Sequence, residues 1–404
     1  MTLRSRLPLT AVLALAAACG EPREESAFTA YDSAGVDVRV VGADARPAAW
    51  RVDPKPVLSI GAVDGASEYM LHDARGAVRL PDGGVVLANS GSNELRWYDA
   101  AGRHVRTAGR DGGGPGEFLS LAALAAGPGG RVHAWDATSL RLSTFGADAG
   151  LQGYWTVPAD SFGPNVELAG VLADNSVLLL DGSSTVFTLS PAPRRDSMRI
   201  WHASPGGAVR RMMTIPGPER ITWGSAQGAV RSPAPFARST LTAVGDNHVW
   251  IGDNGRYEVG GYGDDGRLRR LVRRTADPRK VSAREKDEYR RAWRERVGSG
   301  GPVPGAALET FLAEMPFPET HPAFSALHVD SEGRLWVRER DDAAGSHWAV
   351  HDEDGKLAGS LMLPPGAEPL DISANHVVAR WTDEDGVEFV RVYRFVTARV
   401  PDPR

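Results

Sequence analysis

Cysteine is nearly absent: Cys19 stands alone in 404 residues. An intrachain disulfide is therefore excluded, and so is a metal site built from several thiolates. Lysine is scarce, confined to Lys55, Lys280, Lys286 and Lys356, so arginine carries almost all the basic charge. The net charge of −5 excludes nucleic-acid binding by bulk electrostatics. Long apolar runs are missing; the one at Leu7–Ala18 is broken by Pro8 and Thr10 and is too short to span a bilayer as a mature helix. Several catalytic signatures are missing too. There is no His-Glu-x-x-His among the ten histidines and no Gly-x-Ser-x-Gly, and the glycine-rich Gly109–Gly116 lacks a Walker lysine. That last stretch reads as a turn between repeats.

What is present begins with an export signal over residues 1–18. Arg4 and Arg6 form its positive start, and Ala16-Ala17-Ala18 precede Cys19. Small residues before a lone cysteine are similar to a bacterial lipoprotein signal, in which the cysteine is acylated and becomes the new N-terminus. The alternative is ordinary Ala-x-Ala cleavage beside an incidental cysteine. Acylation at Cys19, with palmitate among its chains, would hold the protein on a membrane and place it in the cell envelope, at the outer membrane. Residues 19–56 read as a tether followed by a strand at Val36–Val41.

From residue 57 to about 400 a four-strand unit recurs. One turn of it contains Gly76–Leu80, Val85–Asn89, Leu95–Tyr98 and Val105–Ala108, separated by Pro81-Asp82-Gly83-Gly84 and Asp99-Ala100-Ala101-Gly102. Short apolar strands punctuated by glycine turns at this period specify a β-propeller blade. The second strands begin at Val85, Val132, Val177, Val249, Leu335 and Val377, which predicts six blades. Tyr98, Phe145 and Tyr262 each fall thirteen residues after such a start and read as core between blades. The last repeat lacks a fourth strand, and Val57–Ile60 is a fourth strand without its first three. The spacing predicts that it completes the sixth blade and closes the ring.

The rhythm breaks twice. Val249 to Leu335 spans 86 residues, against 47, 45 and 42 for the regular repeats. The excess, about 278–318, predicts a short helical insertion between blades four and five. Ser282-Ala283-Arg284-Glu285 is a capping box, Tyr289, Trp293 and Val297 share a face, and Leu308, Phe311, Leu312 and Met315 mark a second helix. The pair would cover the channel mouth as a lid or simply pack on the rim. The lesser excess, Val177 to Val249 (72 residues), holds Ala203–Pro235, rich in Gly, Pro and Arg. Arg267–Arg274 alternates as an outer strand with solvated arginines, or as a surface for an anionic partner.

Gly113-Gly114-Pro115-Gly116-Glu117-Phe118 ahead of a four-strand repeat resembles the NHL-type six-bladed propellers. Asp32-Ser33-Ala34-Gly35-Val36, Pro322-Ala323-Phe324 and Val329-Asp330-Ser331-Glu332-Gly333-Arg334-Leu335-Trp336-Val337 are similar to bacterial lipoproteins described as six-bladed β-propeller proteins. The resemblance covers roughly residues 30–400 and implies an all-β, six-bladed fold. For function it implies several roles: partner-binding platforms, carbohydrate or peptide binders, lyases or lactonases.

Two candidate sites follow. Asn89, Asp136, Asp181, Asp253 and Glu339 each stand four residues after a second-strand start. One oxygen donor per blade would suit a hard cation such as Ca²⁺; the competing reading is that each closes its own turn through backbone N–H groups. His72, Arg75 and His321 lie in or beside connections between blades that face the channel mouth. His248 and His376 occupy hairpin turns. The expectation is an envelope-anchored binding module for a protein, peptide or glycan at the channel face, with no nucleic-acid partner. The alternative is a metal-assisted lyase or hydrolase using the channel carboxylates.

Overall fold

A computed structural model describes residues 27–163, 166–182, 190–225, 228–245, 248–298 and 305–397. The export signal and Cys19 lie outside these residues. The described chain is predominantly β and propeller-like, and its strands fall into six sheets. Sheet I comprises Ala74–Arg79, Val85–Asn89, Glu94–Tyr98 and His104–Ala108. Sheet II comprises Leu121–Ala126, Val132–Asp136, Arg141–Phe145 and Leu151–Thr156. Sheet III has Val166–Val171, Val177–Asp181, Ser190–Ala203, Val209–Ser225 and Gly228–Pro233. Sheet IV has Thr240–Val244, Val249–Asp253, Glu258–Tyr262 and Leu268–Arg274. Sheet V has Ala326–Val329, Leu335–Asp342, Gly345–His351 and Leu357–Leu363. Sheet VI has Glu368–Ser373, His376–Thr382 and Glu388–Val396.

Within each sheet these strands pair antiparallel in sequence order, as short connections dictate. The turns show why the breaks fall where they do. Gly83 and Gly102 adopt positive φ (92° and 78°), and Asp99 Oδ1 accepts from the N–H groups of Ala101 and Arg103 at 2.9 Å. Asp352 and Asp383 repeat that acceptor role in later turns. The second strand of sheet I, Val85–Asn89, is buried throughout because both of its faces are covered.

The sheets are stacked cyclically. One apolar core lies between each neighbouring pair: I and II around Trp97, Phe118 and Phe145, II and III around Trp135 and Leu179, and III and IV around Leu178 and Ile251. The set continues with IV and V around Tyr257 and Phe324, V and VI around Trp336 and Tyr393, and VI and I around Ile60, Tyr98 and Val390. The last of these joins the ends of the chain. Leu58–Ile60 pairs antiparallel with Val390–Val392, which is the closure that the sequence predicts.

The N-terminal segment does more than close sheet VI. Val36–Val41 adds to sheet IV in parallel alongside Leu268–Arg274, with Phe28–Ser33 outside it. Ala48–Ala49 adds in parallel to sheet V, and Arg51–Val52 pairs with the end of sheet VI. Residues 28–60 thus form a strap across three consecutive outer edges. Trp50 fixes it: the indole is buried, stacks on Phe395 at 5.7 Å and meets Trp336 edge-on at 6.0 Å. Gly359 makes room, since a Cβ there would sit 2.3 Å from the Trp50 ring. The arginine-bearing strand Leu268–Arg274 is therefore not the outer edge of its sheet. Its arginines face acids of the chain itself: Arg270 pairs with Asp37 (3.0 Å), Arg269 with Asp265 (2.6 Å) and Arg273 with Glu258 (2.6 Å).

Two helices, α1 (Ala283–Gly298) and α2 (Gly305–Ala313), lie between the last strand of sheet IV and the first of sheet V. The capping box forms: Ser282 N–H and Oγ–H donate to Glu285 Oε2 (2.9 and 2.7 Å), and Glu285 N–H donates to Ser282 Oγ (3.2 Å). The helices pack on the long fourth strand of sheet III and on the segment that follows its fifth. Trp293, Leu308, Phe311, Leu312 and Met315 share a seventh core with Ile221, Trp223 and Ala234. Trp223 stacks on Phe311 at 4.2 Å, with their planes 9° apart. The two departures from the repeat are thus one structure, a canopy built jointly by the arm of sheet III and the helical pair. No helix among the described residues is long and apolar enough to cross a membrane.

Candidate functional site

The residues four places after each second-strand start do not converge. Asn89 Oδ1 accepts from His72 N–H (2.8 Å), Asp136 Oδ2 from Leu119 N–H (2.9 Å) and Asp181 Oδ2 from Gly163 N–H (3.4 Å). Each thus pins the incoming connection 17 or 18 residues upstream. Asp136 also takes the N–H groups of Thr138 and Ser139, and Asp181 pairs with Arg199 (2.8 Å). Asp253 receives Arg195, Arg238 (3.3 Å) and Gly255 N–H (2.9 Å). Glu339 is paired with Arg274. Of the two readings of this set, the turn reading is the one these contacts fit: the donors are engaged one by one in turns and ion pairs, and no three His, Cys, Asp or Glu among the described residues form a metal-holding group.

The three binding candidates separate as well. His72 is exposed in the connection entering sheet I, and Arg75 pairs with Asp73 (2.8 Å) on the first strand of that sheet. His321 lies between sheets IV and V, three sheets away around the ring. It borders a cleft of about 1050 Å³, a volume suited to a sizeable ligand. The walls are the turn Asn254–Tyr257 of sheet IV, the connection Thr320–Ser325, and Glu339–Asp341 of sheet V. Residues 275–279, leading to the canopy, complete it together with Phe236.

The canopy rises from the cleft on a clasped stem. Val281 N–H donates to Glu319 O (2.9 Å) and His321 N–H to Arg279 O (2.8 Å). Entry and exit of the insertion are thereby held side by side, and Glu285 of α1 is brought to the rim. Arg279 donates to Glu285 Oε1 (2.6 Å). The Ser282 backbone N–H, followed by Arg279, holds the Glu285 carboxyl well below the usual carboxylate range. His321 Nε2 lies 3.0 Å from the same Oε1, although its N–H is out of line for a fully formed hydrogen bond. The ring packs edge-on against Phe236 at 4.6 Å. Burial, followed by the Arg279 charge, lowers the His321 pKa below its ordinary value, so the imidazole is neutral at pH 7.

A buried polar chain runs behind the cleft. Tyr257 Oη meets His351 Nε2 at 3.1 Å, and His351 Nδ1 lies 3.3 Å from Gly355 O. Burial, and then the nearby Glu339 charge, push the Tyr257 hydroxyl well above its usual pKa. Burial takes His351 down to about 4. Both are therefore neutral and serve as hydrogen-bonding groups that fix the wall. Sequence reasoning singled out His321 and Glu339 but missed Tyr257, Phe236 and Arg279, which come together only through tertiary packing. The available signal was the capping box, since its Glu285 also reaches His321.

No family model matches the chain, and no curated protein matches it in sequence. Solved structures of similar shape include a member of the DUF4221 family from Bacteroides vulgatus, with 10% identity over 87% of this chain and all of that one, TM-score 0.49. Another, described as an exported protein of Bacteroides fragilis, shares 10% identity over 90% of this chain and all of that one, TM-score 0.47. Virginiamycin B lyase from Staphylococcus aureus gives 10% identity over 86% and 100%, TM-score 0.38. Likeness at this level carries no functional assignment, and the fold rests on the sheet order above.

Proposed function

We propose that the chain is an exported six-bladed β-propeller, held at the outer membrane by acylation of Cys19, that acts as a binding module. The binding site in this reading is the cleft between blades four and five, at the foot of the helical insertion. The observation that carries it is the coincidence of the cleft with the canopy stem: a volume of about 1050 Å³ opens where the repeat is interrupted and an extra core has been added. Loops on a rigid scaffold are where proteins place recognition. The reading also draws on a lone cysteine behind small residues.

Soaking crystals with a library of small polar fragments tests the site. Fragments are expected to gather against Asn254–Tyr257 and Thr320–Ser325. Hits confined to the neighbourhood of His72 and Arg75 would move the site to the opposite side of the ring, and their absence from the cleft would remove the reading. The anchor has its own test. Cys19→Ala should shift the protein from the membrane fraction to the soluble envelope fraction, and unchanged fractionation would refute acylation.

A further inference from the structure

The cleft has a chemical character that narrows its occupant. Its charged lining is balanced, with Arg256, Arg273, Arg274, Arg279 and Arg340 against Glu258, Asp277, Glu285, Glu339 and Asp341. Most of these charges are already neutralised within the protein. Arg273 holds Glu258 (2.6 Å), Arg274 holds Glu339, Arg279 holds Glu285 (2.6 Å), and Asp341 is taken by Arg338 (2.8 Å). A strongly charged ligand would have to break such pairs without a surplus of opposite charge to receive it, and stripping a partner from a half-buried ion is costly. A neutral ligand does not.

His321 supplies the second observation. Its side chain is only 10% exposed, yet its hydrogen-bonding capacity is unfilled. Nε2 has no aligned partner; the Glu285 carboxylate 3.0 Å away favours a proton on that nitrogen, because a lone pair facing it would be repelled. Nδ1 is then an acceptor, and no group among the described residues donates to it. An acceptor in this state on a cleft wall is open to a donor from a molecule in the cleft.

We infer that the cleft binds a neutral, hydroxyl-rich ligand, an oligosaccharide segment, and that His321 accepts a hydrogen bond from one of its hydroxyl groups. This rests on the cleft being the ligand site. Glu285 and Arg279 act as positioning residues, holding the imidazole so that Nδ1 is available. The remaining hydrogen-bonding groups of the lining, including Ser239, Asn254, Thr275, Thr320 and Ser325, suit the other hydroxyls, and the paired carboxylates can accept without losing their arginines.

The experiment is titration calorimetry with neutral probes (cellohexaose, maltohexaose, chitohexaose), an acidic probe (hexagalacturonate) and a basic one (pentalysine). At least one neutral probe should bind, and the charged probes should bind at least tenfold more weakly. His321→Phe keeps the ring contact with Phe236 but removes the acceptor; it should weaken binding at least tenfold with an unchanged melting temperature. Protonation of Nδ1 also removes the acceptor, so affinity should fall on acidification, at a pH below the ordinary histidine range because burial and Arg279 lower this group. The charged groups facing the ring are Glu285 from α1 and Arg279 from the stem. Failure of all neutral probes, or preference for a charged one, overturns the inference. Binding that His321→Phe leaves intact also overturns it, while the cleft reading survives. Binding that survives Ser325→Trp, which fills the cleft from its exposed wall, overturns the cleft reading itself.

Discussion

The ring and the canopy are held together in different ways. Each sheet of the ring is gripped by two apolar cores, one on either face, and the strap across sheets IV, V and VI makes the last of them continuous with the first. The canopy has one core, around Trp223, Trp293 and Phe311, and joins the ring through the clasped stem and the arm of sheet III. Redundant interfaces produce a unit that opens only as a whole, whereas a single interface at the end of a stem can open locally. The cleft lies where the two meet, so one of its walls is rigid and the other belongs to the less stable unit.

That contrast can be broken from either side. Trp50→Ala removes the plug of the strap and leaves a cavity between sheets V and VI. It should cost about 3–5 kcal/mol of global stability, read as a lower urea midpoint with one shared transition. Trp223→Ala should cost about 3 kcal/mol, but within the canopy: amides of α1 and α2 should exchange faster while the ring midpoint moves little. If Trp223→Ala lowers the ring midpoint as far as Trp50→Ala does, the two regions are one unit.

Acid should sharpen the comparison from the ring side. His351 is fully buried, and its folded-state pKa of about 4 lies below the ordinary 6.5. As pH falls, the unfolded chain takes a proton there first. Its contribution is therefore complete above about pH 6.5 and lost as pH approaches 4, a change on the order of 3 kcal/mol. Urea midpoints measured between pH 4 and 7 should fall less steeply in His351→Gln than in the parent. Equal slopes would show that this histidine does not sense acid. The smallest effect belongs to the canopy entrance. Ser282→Ala removes the cap of α1 and should cost about 1 kcal/mol, seen as faster exchange in the first turn of that helix alone.

The regular part of this molecule was readable because its signals are local. Glycine turns and second-strand starts recur at a fixed period, and Ser282–Glu285 announces a helix by itself. Closure by Leu58–Ile60 was readable as a missing fourth strand. The parallel pairing of Val36–Val41 with Leu268–Arg274 was not, since nothing in either stretch names a partner more than two hundred residues away. The arm Ser190–Ser225 hid behind its Gly, Pro and Arg content, which resembles a loop; its pairing is set by facing strands and by the helices it meets. The Asn89–Glu339 set left two readings open because a residue that pins a turn and a residue that binds a cation have the same composition and spacing. Only the direction of the side chain separates them.

Native-state hydrogen exchange in graded urea tests the division most directly. The amides of α1, α2 and the outer arm of sheet III should open together at lower urea than those of Val85–Asn89, Val132–Asp136 and Leu335–Asp342. If all of them exchange at one urea concentration and with one slope, ring and canopy are a single cooperative structure and the division fails.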